Sequence, residues 1–384
     1  MDYNKVTTTT SFVDKIKGAF FGVIFGIILF IGSFILLWWN EGNCVKVAEL
    51  NSYVKKNVIS IDANSINPAY NNKLVHVTGE AVSNETLSDD LNVSAKNAIA
   101  LFRDVEMYQW QEEEHRNTRK NAGGSSTTTT TYSYEKQWSS SPINSSSFNQ
   151  SADHQNPSSF PISSTSKYAQ SVKLGAFDLS QRQIQSIKAV APLTSIPRNN
   201  RFSIAGSGYY SGTDINNPQI GDIKIAYTYT PSNTPISVIA EQNNNYLIPD
   251  ITPKGEFSNL SLGIISAENI MQNLDKQNAM LTMGLRILGF VLMAFGLQLL
   301  ISPITVLADV LPPLAYFVDA VSGMVLSLIA LALSLITITL AWLTFRPLIS
   351  IPVVIALIYF IYWIIKKKEQ KQDVIPSCNQ HTSP

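Results

Sequence analysis

The chain has 384 residues, and its 28 basic side chains balance its 28 acidic ones. A net charge of zero gives no electrostatic basis for binding nucleic acid, because proteins that do so carry a basic surface. Apolar residues make up 45% of the chain. They are gathered into long runs, so the sequence is that of an integral membrane protein.

The first element is an apolar run from Gly18 to Trp39, preceded by a tail of residues 1–17 that carries three lysines. About 20 apolar residues in a helix cross a hydrocarbon core of about 30 Å. The run is long for a signal peptide and no A-x-A site follows it, so it predicts an uncleaved anchor. Trp38 and Trp39 at its end are typical of an aromatic belt at a membrane interface.

Residues 40–280 are too polar to enter a bilayer, and their pattern is mainly β. Alternation over Lys73–Glu80 predicts a strand. Ala100–Glu112 and Thr127–Trp138 predict the two strands of a hairpin, with a flexible tip at Arg116–Ser126. Further strands are predicted at residues 221–230, 236–241 and 246–251. The pattern does not decide between a barrel and a sandwich.

The end of the chain is predicted to be helical and membrane-embedded. Helical spacing starts at Ser266, which can cap a helix that runs into the second span. The spans are predicted at residues 281–301, 320–344 and 347–365, followed by a basic tail, 366–384. Residues 302–319 contain three prolines and are predicted to be an interfacial or re-entrant segment. The fold class is α+β, with four transmembrane helices in a 1 + 3 arrangement around the β-rich domain.

Lysines flank both ends of the chain, and basic residues next to a span remain on the cytoplasmic side. Both termini are therefore predicted to be cytoplasmic, and residues 40–280 extracytoplasmic or lumenal. Lys366, Lys367 and Lys368 anchor the last span and contact anionic lipid head groups in this interpretation. Cys44 and Cys378 fall on opposite sides, which excludes a disulfide between them within one chain.

Three sets of residues are candidate sites. Gly18, Gly22 and Gly26 form a repeated G-x-x-x-G motif, which lets helix backbones approach closely in lipid. Their partner is either a second copy or the C-terminal spans. Arg286 and Arg346 lie at membrane interfaces, where each pairs with a carboxylate such as Glu41 or Asp275, contacts head groups, or reaches water. The third set is a group of aromatic residues that either binds a partner or packs the sheet: Tyr108, Trp110, Tyr132, Tyr134 and Trp138.

The sequence contains no recognisable catalytic or cofactor signature. The four histidines form no H-x-x-x-H or H-E-x-x-H pattern, and no G-x-S-x-G elbow occurs. His154 next to Asp153 is expected to have a structural hydrogen-bonding role, since a catalytic base needs a positioned nucleophile. We therefore expect no enzyme activity, no metal and no cofactor.

Several blocks in order make the chain similar to the transmembrane protein 43 (LUMA) family. They include Asn40-Glu41-Gly42, Val105 to Trp110 (VEMYQW), His154 with Asn156-Pro157, Gly284-Leu285-Arg286 and Arg346-Pro347-Leu348. The resemblance implies an endoplasmic-reticulum and inner-nuclear-membrane protein that self-associates and organises membrane complexes. Animal members are linked to emerin and lamins. The Asn/Ile/Lys bias of this chain suggests an AT-rich, bacterial genome, which would lack those nuclear partners and place the protein in the inner membrane.

The function predicted from the sequence is that of a non-enzymatic membrane scaffold. It forms a homo-oligomer, binds other membrane proteins through its extracytoplasmic domain and contacts membrane lipids, but not nucleic acid. The alternative is an ion channel or channel-modulating subunit. Only a few polar side chains in the spans, among them Gln298 and Ser334, are available to line a pore.

Overall fold

The structure is a computed structural model, and it describes residues 2–310, 312–346, 351, 352, 355 and 359. These residues form two compact units. The first, called the β unit here, comprises Met1–Lys15, Ala48–Gln277 and Val306–Ala315. The second, called the helical unit, comprises Ile16–Val47, Asn278–Thr305 and Tyr316–Pro384.

In the continuously described part of the chain, residues 2–310 and 312–346, the α-helices are α1 (Phe12–Asn57), α2 (Gln181–Ser186), α3 (Ala267–Ala308) and α4 (Pro312–Phe345). Within the described part of the chain, three helices are long and apolar enough to cross a membrane: α1, α3 and the Val321–Phe345 part of α4. This confirms the predicted α+β membrane class. The predicted fourth span, 347–365, lies outside the described residues except for four isolated positions. The tail 366–384 lies wholly outside them.

The strands all belong to the β unit. In chain order they are β1 Asp2–Thr10, β2 Ile59–Ile61, β3 Leu74–Val82, β4 Leu87–Ser88, β5 Ser94–Ala95, β6 Ala98–Lys120, β7 Ser126–Ser139, β8 Thr165–Tyr168, β9 Lys173–Leu174, β10 Phe177–Leu179, β11 Ala191–Pro192, β12 Ser203–Ala205, β13 Gly208–Tyr210, β14 Ile223–Pro231, β15 Thr234–Asn243, β16 Tyr246–Ile248, β17 Asp250–Thr252, β18 Gly255–Phe257 and β19 Asn259–Leu262.

The larger sheet is organised by β6 and runs in the order β1-β7-β6-β14-β13-β12, with β8 and β11 added at its sides. The predicted hairpin is confirmed, because β6 pairs with β7 from Met107↔Ser139 to Lys120↔Ser126. Its tip is more ordered than expected, since both strands continue to a short turn at residues 121–125. Gly124 lies in this turn at φ +84°, and a Cβ there would stand 2.5 Å from the Phe12 ring. The backbone conformation and the space both require glycine.

The smaller sheet closes on itself. Its pairings run from β3 to β15, β16, β10 and β9 and return to β3, which makes a small five-stranded barrel, with β2 and β19 attached. The enclosed core is made of residues such as Val75, Val77, Phe177, Val238 and Leu247. Closure removes most of the unpaired edges that an open sheet would expose.

A buried carboxylate, that of Asp89, connects strands β6 and β14 of the larger sheet to the loop before β5. Asp89 accepts hydrogen bonds at one oxygen from the backbone N–H groups of Leu91 and Val93, at 2.9 and 3.1 Å. Its other oxygen accepts from Arg103 Nη1 at 2.8 Å and from the Tyr227 hydroxyl at 2.6 Å. All of its acceptor sites are thus used, which is the condition for a buried charge to be tolerated.

Helix α3 begins as the sequence predicts, with the Ser266 side chain accepting a hydrogen bond from the Asn269 N–H, and it runs without a break into the second apolar run. It then extends further than predicted, to Ala308, with Pro303 inside it. Proline cannot donate to the Leu299 carbonyl, four residues before it. The Ser302 hydroxyl donates to that carbonyl instead, at 2.7 Å, so the helix continues through residues predicted to form a separate segment.

The N-terminal tail forms a strand that the sequence did not predict. Strand β1 pairs antiparallel with β7, from Asp2↔Tyr134 to Thr10↔Ser126. At the same end, the Asp309 carboxylate binds both Lys15 and Lys120, the latter at 2.6 Å. The tail and the hairpin tip must therefore lie on the same side of any membrane, which disagrees with the predicted placement of residues 1–17 and residues 40–280 on opposite sides. The sidedness itself stays a prediction from the flanking lysines.

A pair of cysteines tests this strand pairing. In a chain carrying Cys44→Ser and Cys378→Ser, we expect Thr8→Cys and Thr128→Cys to form a disulfide on mild oxidation, because these two residues are direct cross-strand partners. Mass spectrometry of the digested protein measures the bond.

The matched control pairs Thr8→Cys with Thr118→Cys, which lies one strand further away, since Thr118 faces Thr128 from β6. Equal cross-linking of the two pairs, or of neither, would contradict the register of β1.

His76 joins the barrel to the segment that precedes α3. Its Nε2–H donates to the Ile265 carbonyl at 2.9 Å, so its Nδ1 is left to accept from the Ser60 hydroxyl at 3.1 Å. Burial lowers the pKa of His76 below its ordinary value of about 6.5. Protonation of Nδ1 would remove the acceptor that Ser60 uses.

The lowered pKa of His76 predicts acid sensitivity. The unfolded chain takes up this proton at a higher pH than the folded chain does, so stability is complete above about pH 6.5 and falls as the pH drops below it. We expect the midpoint of thermal unfolding to fall between pH 7.5 and 5.5, and to fall less in His76→Gln. His115→Gln, an exposed histidine on β6, is the control. A pH dependence that is the same in His76→Gln as in the unmodified protein would disprove the assignment.

Candidate functional site

Four of the five predicted aromatic residues share the part of the hairpin next to the body of the sheet. Tyr108 and Trp138 are direct cross-strand partners, and their ring centroids lie 5.2 Å apart. The ammonium of Lys224 lies 4.9 Å from the centroid of the Trp138 ring, and Lys224 also pairs with Glu106 at 2.6 Å. Both aromatic side chains are half-buried. They are thus fixed by neighbours and still present a flat surface to solvent.

Trp110 is held on the same face by a side chain that imitates a strand. The amide of Asn156 accepts from the Trp110 N–H at 2.7 Å and donates to the Trp110 carbonyl at 2.9 Å. The His154 ring meets the indole edge to face at 4.6 Å, and Lys136 lies 4.7 Å from the ring centroid. Sequence reasoning missed Asn156, because a side chain that replaces a backbone partner leaves no periodic signal.

Tyr134 packs the fold and presents almost no surface, with 3% of it exposed. Its ring stacks on His154 at 3.7 Å, and its hydroxyl donates to Glu112 at 2.7 Å. Burial, reinforced by that carboxylate, raises the pKa of Tyr134 to about 12. Of the two roles predicted for this group, partner binding and sheet packing, Tyr134 has the packing role. Tyr132 is half-buried and pairs with Asn4 of β1.

In the helical unit, two of the three predicted glycines meet α3. A Cβ on Gly26 would stand 2.8 Å from Leu299 Cβ and 3.0 Å from the Gly296 carbonyl oxygen. Gly22 lies near Leu299 and Ser302, at 3.6 and 3.7 Å, whereas Gly18 has no such neighbour within 4 Å. Of the two partners that the sequence allowed for this motif, the structure shows the chain's own α3. Helices approach this closely only where side chains are absent.

An ion pair joins α1 and α3 at one end of the helical unit. Arg286 binds Glu41 through two parallel contacts, Nε to Oε1 at 2.6 Å and Nη2 to Oε2 at 2.8 Å. The Glu41 side chain is 1% exposed and that of Arg286 is 34% exposed. Asp275, the other carboxylate considered for Arg286, instead accepts from Asn51 at 2.8 Å and binds Lys55.

Helix α4 reaches the same end. The Phe345 ring packs on Gly42, where a Cβ would stand 2.8 Å from it, and lies 5.8 Å from the Trp38 ring. The next residue, Arg346, places its guanidinium 5.7 Å from the Trp342 ring centroid. Trp39 is 57% exposed. The end of the helical unit, called the rim here, thus combines the predicted interface residues Trp38, Trp39, Arg286 and Arg346.

Comparison with known proteins agrees with this architecture. The sequence model of the family described as Transmembrane protein 43 matches residues 107–347, more than half of the chain. This chain belongs to the transmembrane protein 43 family. It is 30% identical to transmembrane protein 43 of Rattus norvegicus over 92% of this chain and 94% of the relative. The corresponding values for the Homo sapiens protein are 30%, 90% and 89%, and for the Drosophila melanogaster homologue 28%, 87% and 91%. No solved structure matches.

The match to the transmembrane protein 43 family includes most of β6, all of β7, and both Arg286 and Arg346. The relatives' names describe a transmembrane protein and state no activity. Family membership thus establishes an integral membrane protein.

The unequal burial of Glu41 and Arg286 predicts unequal effects of removing either one. Arg286→Gln leaves a fully buried carboxylate without its cation, and we expect a loss of about 3 kcal/mol in unfolding free energy. Glu41→Gln leaves a guanidinium that can turn to water or head groups, so we expect a loss of only about 1 kcal/mol. Chemical denaturation in detergent measures both.

The control is Arg182→Gln, which breaks the exposed pair of Arg182 with Glu256 and should change stability by less than about 0.5 kcal/mol. The double variant Glu41→Gln/Arg286→Gln should recover much of the loss. Equal losses in the two single variants would show that Glu41 is not as enclosed as the structure has it.

Proposed function

We propose that this member of the family is a non-enzymatic membrane scaffold. It self-associates through the face of the β6–β7 hairpin that carries Tyr108, Trp110 and Trp138, called the aromatic face here. The observation that carries the proposal is the half-buried pair Tyr108 and Trp138, packed against each other and covered on one side by Lys224. Tryptophan and tyrosine that are rigid before binding contribute most to protein interfaces, since little side-chain entropy is lost.

The surroundings of this face support a binding role rather than a purely structural one. Tyr210 lies beneath Trp138, with ring centroids 6.3 Å apart, and is itself buried. Tyr210 thus already covers this part of the sheet, and the half-buried Trp138 packs on it from the solvent side. By contrast, Tyr134 is enclosed by His154 and Phe148. Within one hairpin, some aromatic residues complete the core while others remain partly open.

The polar groups of the β unit support a non-enzymatic role. His76 and His154 are both buried, and each has backbone or side-chain partners that account for its position. Over the described residues, no group of three or more His, Cys, Asp or Glu side chains is arranged to hold a metal. The scaffold proposal needs neither a metal nor a cofactor.

A channel is less well supported, because the hydroxyls of the spans are turned towards their own helices. Ser327 and Thr337 donate to carbonyls four residues earlier, at 2.8 and 2.7 Å, and Thr339 does the same. Ser334 contacts the Met293 sulfur at 3.4 Å. A pore needs polar groups that face its axis, and these groups are used within the helical unit.

The proposal also includes the setting. Basic residues on both flanks favour cytoplasmic termini, in the endoplasmic reticulum or inner nuclear membrane of a eukaryote or the inner membrane of a bacterium. Because Gly22 and Gly26 pack against α3, self-association through that face of α1 would have to displace the chain's own helix. Self-association through the aromatic face displaces no helix of the chain.

The test is the mass of the protein in native-lipid discs as a function of concentration. We expect a multimer for the unmodified chain, and for Trp138→Ala a dissociation constant raised roughly thirtyfold, equivalent to a loss of about 2 kcal/mol. Tyr108→Ala should act in the same direction.

Tyr246→Ala is the matched control, because Tyr246 is an exposed aromatic residue on the other sheet. A monomeric unmodified chain would refute self-association. A multimer unaffected by Trp138→Ala, with all variants folded by circular dichroism, would show that assembly uses another surface.

A further inference from the structure

The rim of the helical unit carries more positive than negative charge. Glu41 is enclosed and fully engaged by Arg286 through two contacts. Arg346 has no carboxylate within salt-bridge distance among the described residues, and it rests on the Trp342 ring. Both arginines belong to this end, because Glu41 binds Arg286 while the adjacent Gly42 packs on Phe345, the neighbour of Arg346. The Glu41 carboxylate is thus already used by Arg286, and among the described residues Arg346 has no carboxylate partner.

The position of the rim points to the level of lipid head groups. Leu37, Met293 and Ala330 form the buried apolar core of the helical unit. Around the rim, the outward-facing side chains Ile35, Ile287 and Leu340 are more than half exposed. Such side chains face acyl chains in a bilayer. Trp38 and Trp39 mark the boundary where the apolar surface ends.

We propose that the Arg346 corner of this rim, together with the open edge of Arg286, binds the phosphate of a phospholipid head group. Guanidinium groups offer a planar fork of donors that matches phosphate oxygens. Glu41 occupies Nε and Nη2 of Arg286, which leaves its Nη1 for a second acceptor. Acyl chains would then lie along the exposed apolar side chains below. This site is independent of the hairpin face and of the scaffold role.

The experiment uses the full chain, purified in detergent, delipidated by washing and then supplied with one probe at a time. The probes are dioleoylphosphatidylglycerol, dioleoylphosphatidylcholine, dioleoylglycerol and inorganic phosphate. Native mass spectrometry counts bound lipid, and thermal unfolding reports protection. We expect both phospholipids to bind and protect, and expect dioleoylglycerol and inorganic phosphate to do so at least tenfold more weakly.

Arg346→Gln should weaken binding of both phospholipids about tenfold, the effect of losing one charge-assisted hydrogen-bonding group. Arg346→Lys should retain part of the affinity, because it keeps the charge but loses the fork. Arg201→Gln is the matched control, since Arg201 also stacks on an aromatic ring, at 5.6 Å from Phe202, but belongs to the β unit.

Three results would overturn the proposal. They are phospholipid binding unchanged in Arg346→Gln, protection by dioleoylglycerol equal to that by the phospholipids, or protection by inorganic phosphate alone equal to that by the phospholipids. If Arg346→Gln does not fold, Arg346→Lys decides: affinity equal to that of the unmodified chain would count against a site that depends on the fork.

Discussion

The backbone ladder along β6 is the interaction on which the β unit depends. This one strand pairs with β14 and β8 near its start and with β7 along its second half. Beyond the pair Met107↔Ile223, β6 has no further partner residue in β14, and loop residues take its place. Tyr108 exchanges backbone hydrogen bonds with Asp222 and Gly221, and Trp110 exchanges them with the Asn156 amide. Backbone groups that leave water must be paired, and this requirement places the loops around the aromatic face.

The helical unit depends on a different balance, between close packing and a single charge pair. Gly26 and Gly296 bring α1 and α3 into contact, and Ser302 repairs the hydrogen bond that Pro303 cannot make. At the rim, a buried carboxylate is tolerated because Arg286 reaches it with two contacts. The small residues set the short distance between the axes of α1 and α3, and the Glu41–Arg286 ion pair fixes how far the two helices are shifted along each other. The rim therefore combines structural stability with exposed cationic chemistry.

The sequence predicted features that depend on one stretch of residues, and it missed those that depend on distant partners. Alternating aromatic residues predicted β6 and β7, and length and apolarity predicted the spans. The sequence predicted either Glu41 or Asp275 as the partner of Arg286, and separation along the chain does not distinguish between them. The short strands of the barrel, two or three residues each for β9 and β10, are too brief to show a period. Asn156 acts through its amide on a strand 46 positions away.

The tail strand β1 illustrates the same limit, because a threonine-rich run becomes a strand only when another strand lies beside it. Its partner Tyr134 is synthesised more than a hundred positions after Asp2. At ordinary rates of translation the tail must wait on the order of ten seconds before β7 exists. Closing a loop of this length also costs entropy before any contact compensates for it. The residues of β1 thus acquire their strand structure only after β7 has been made.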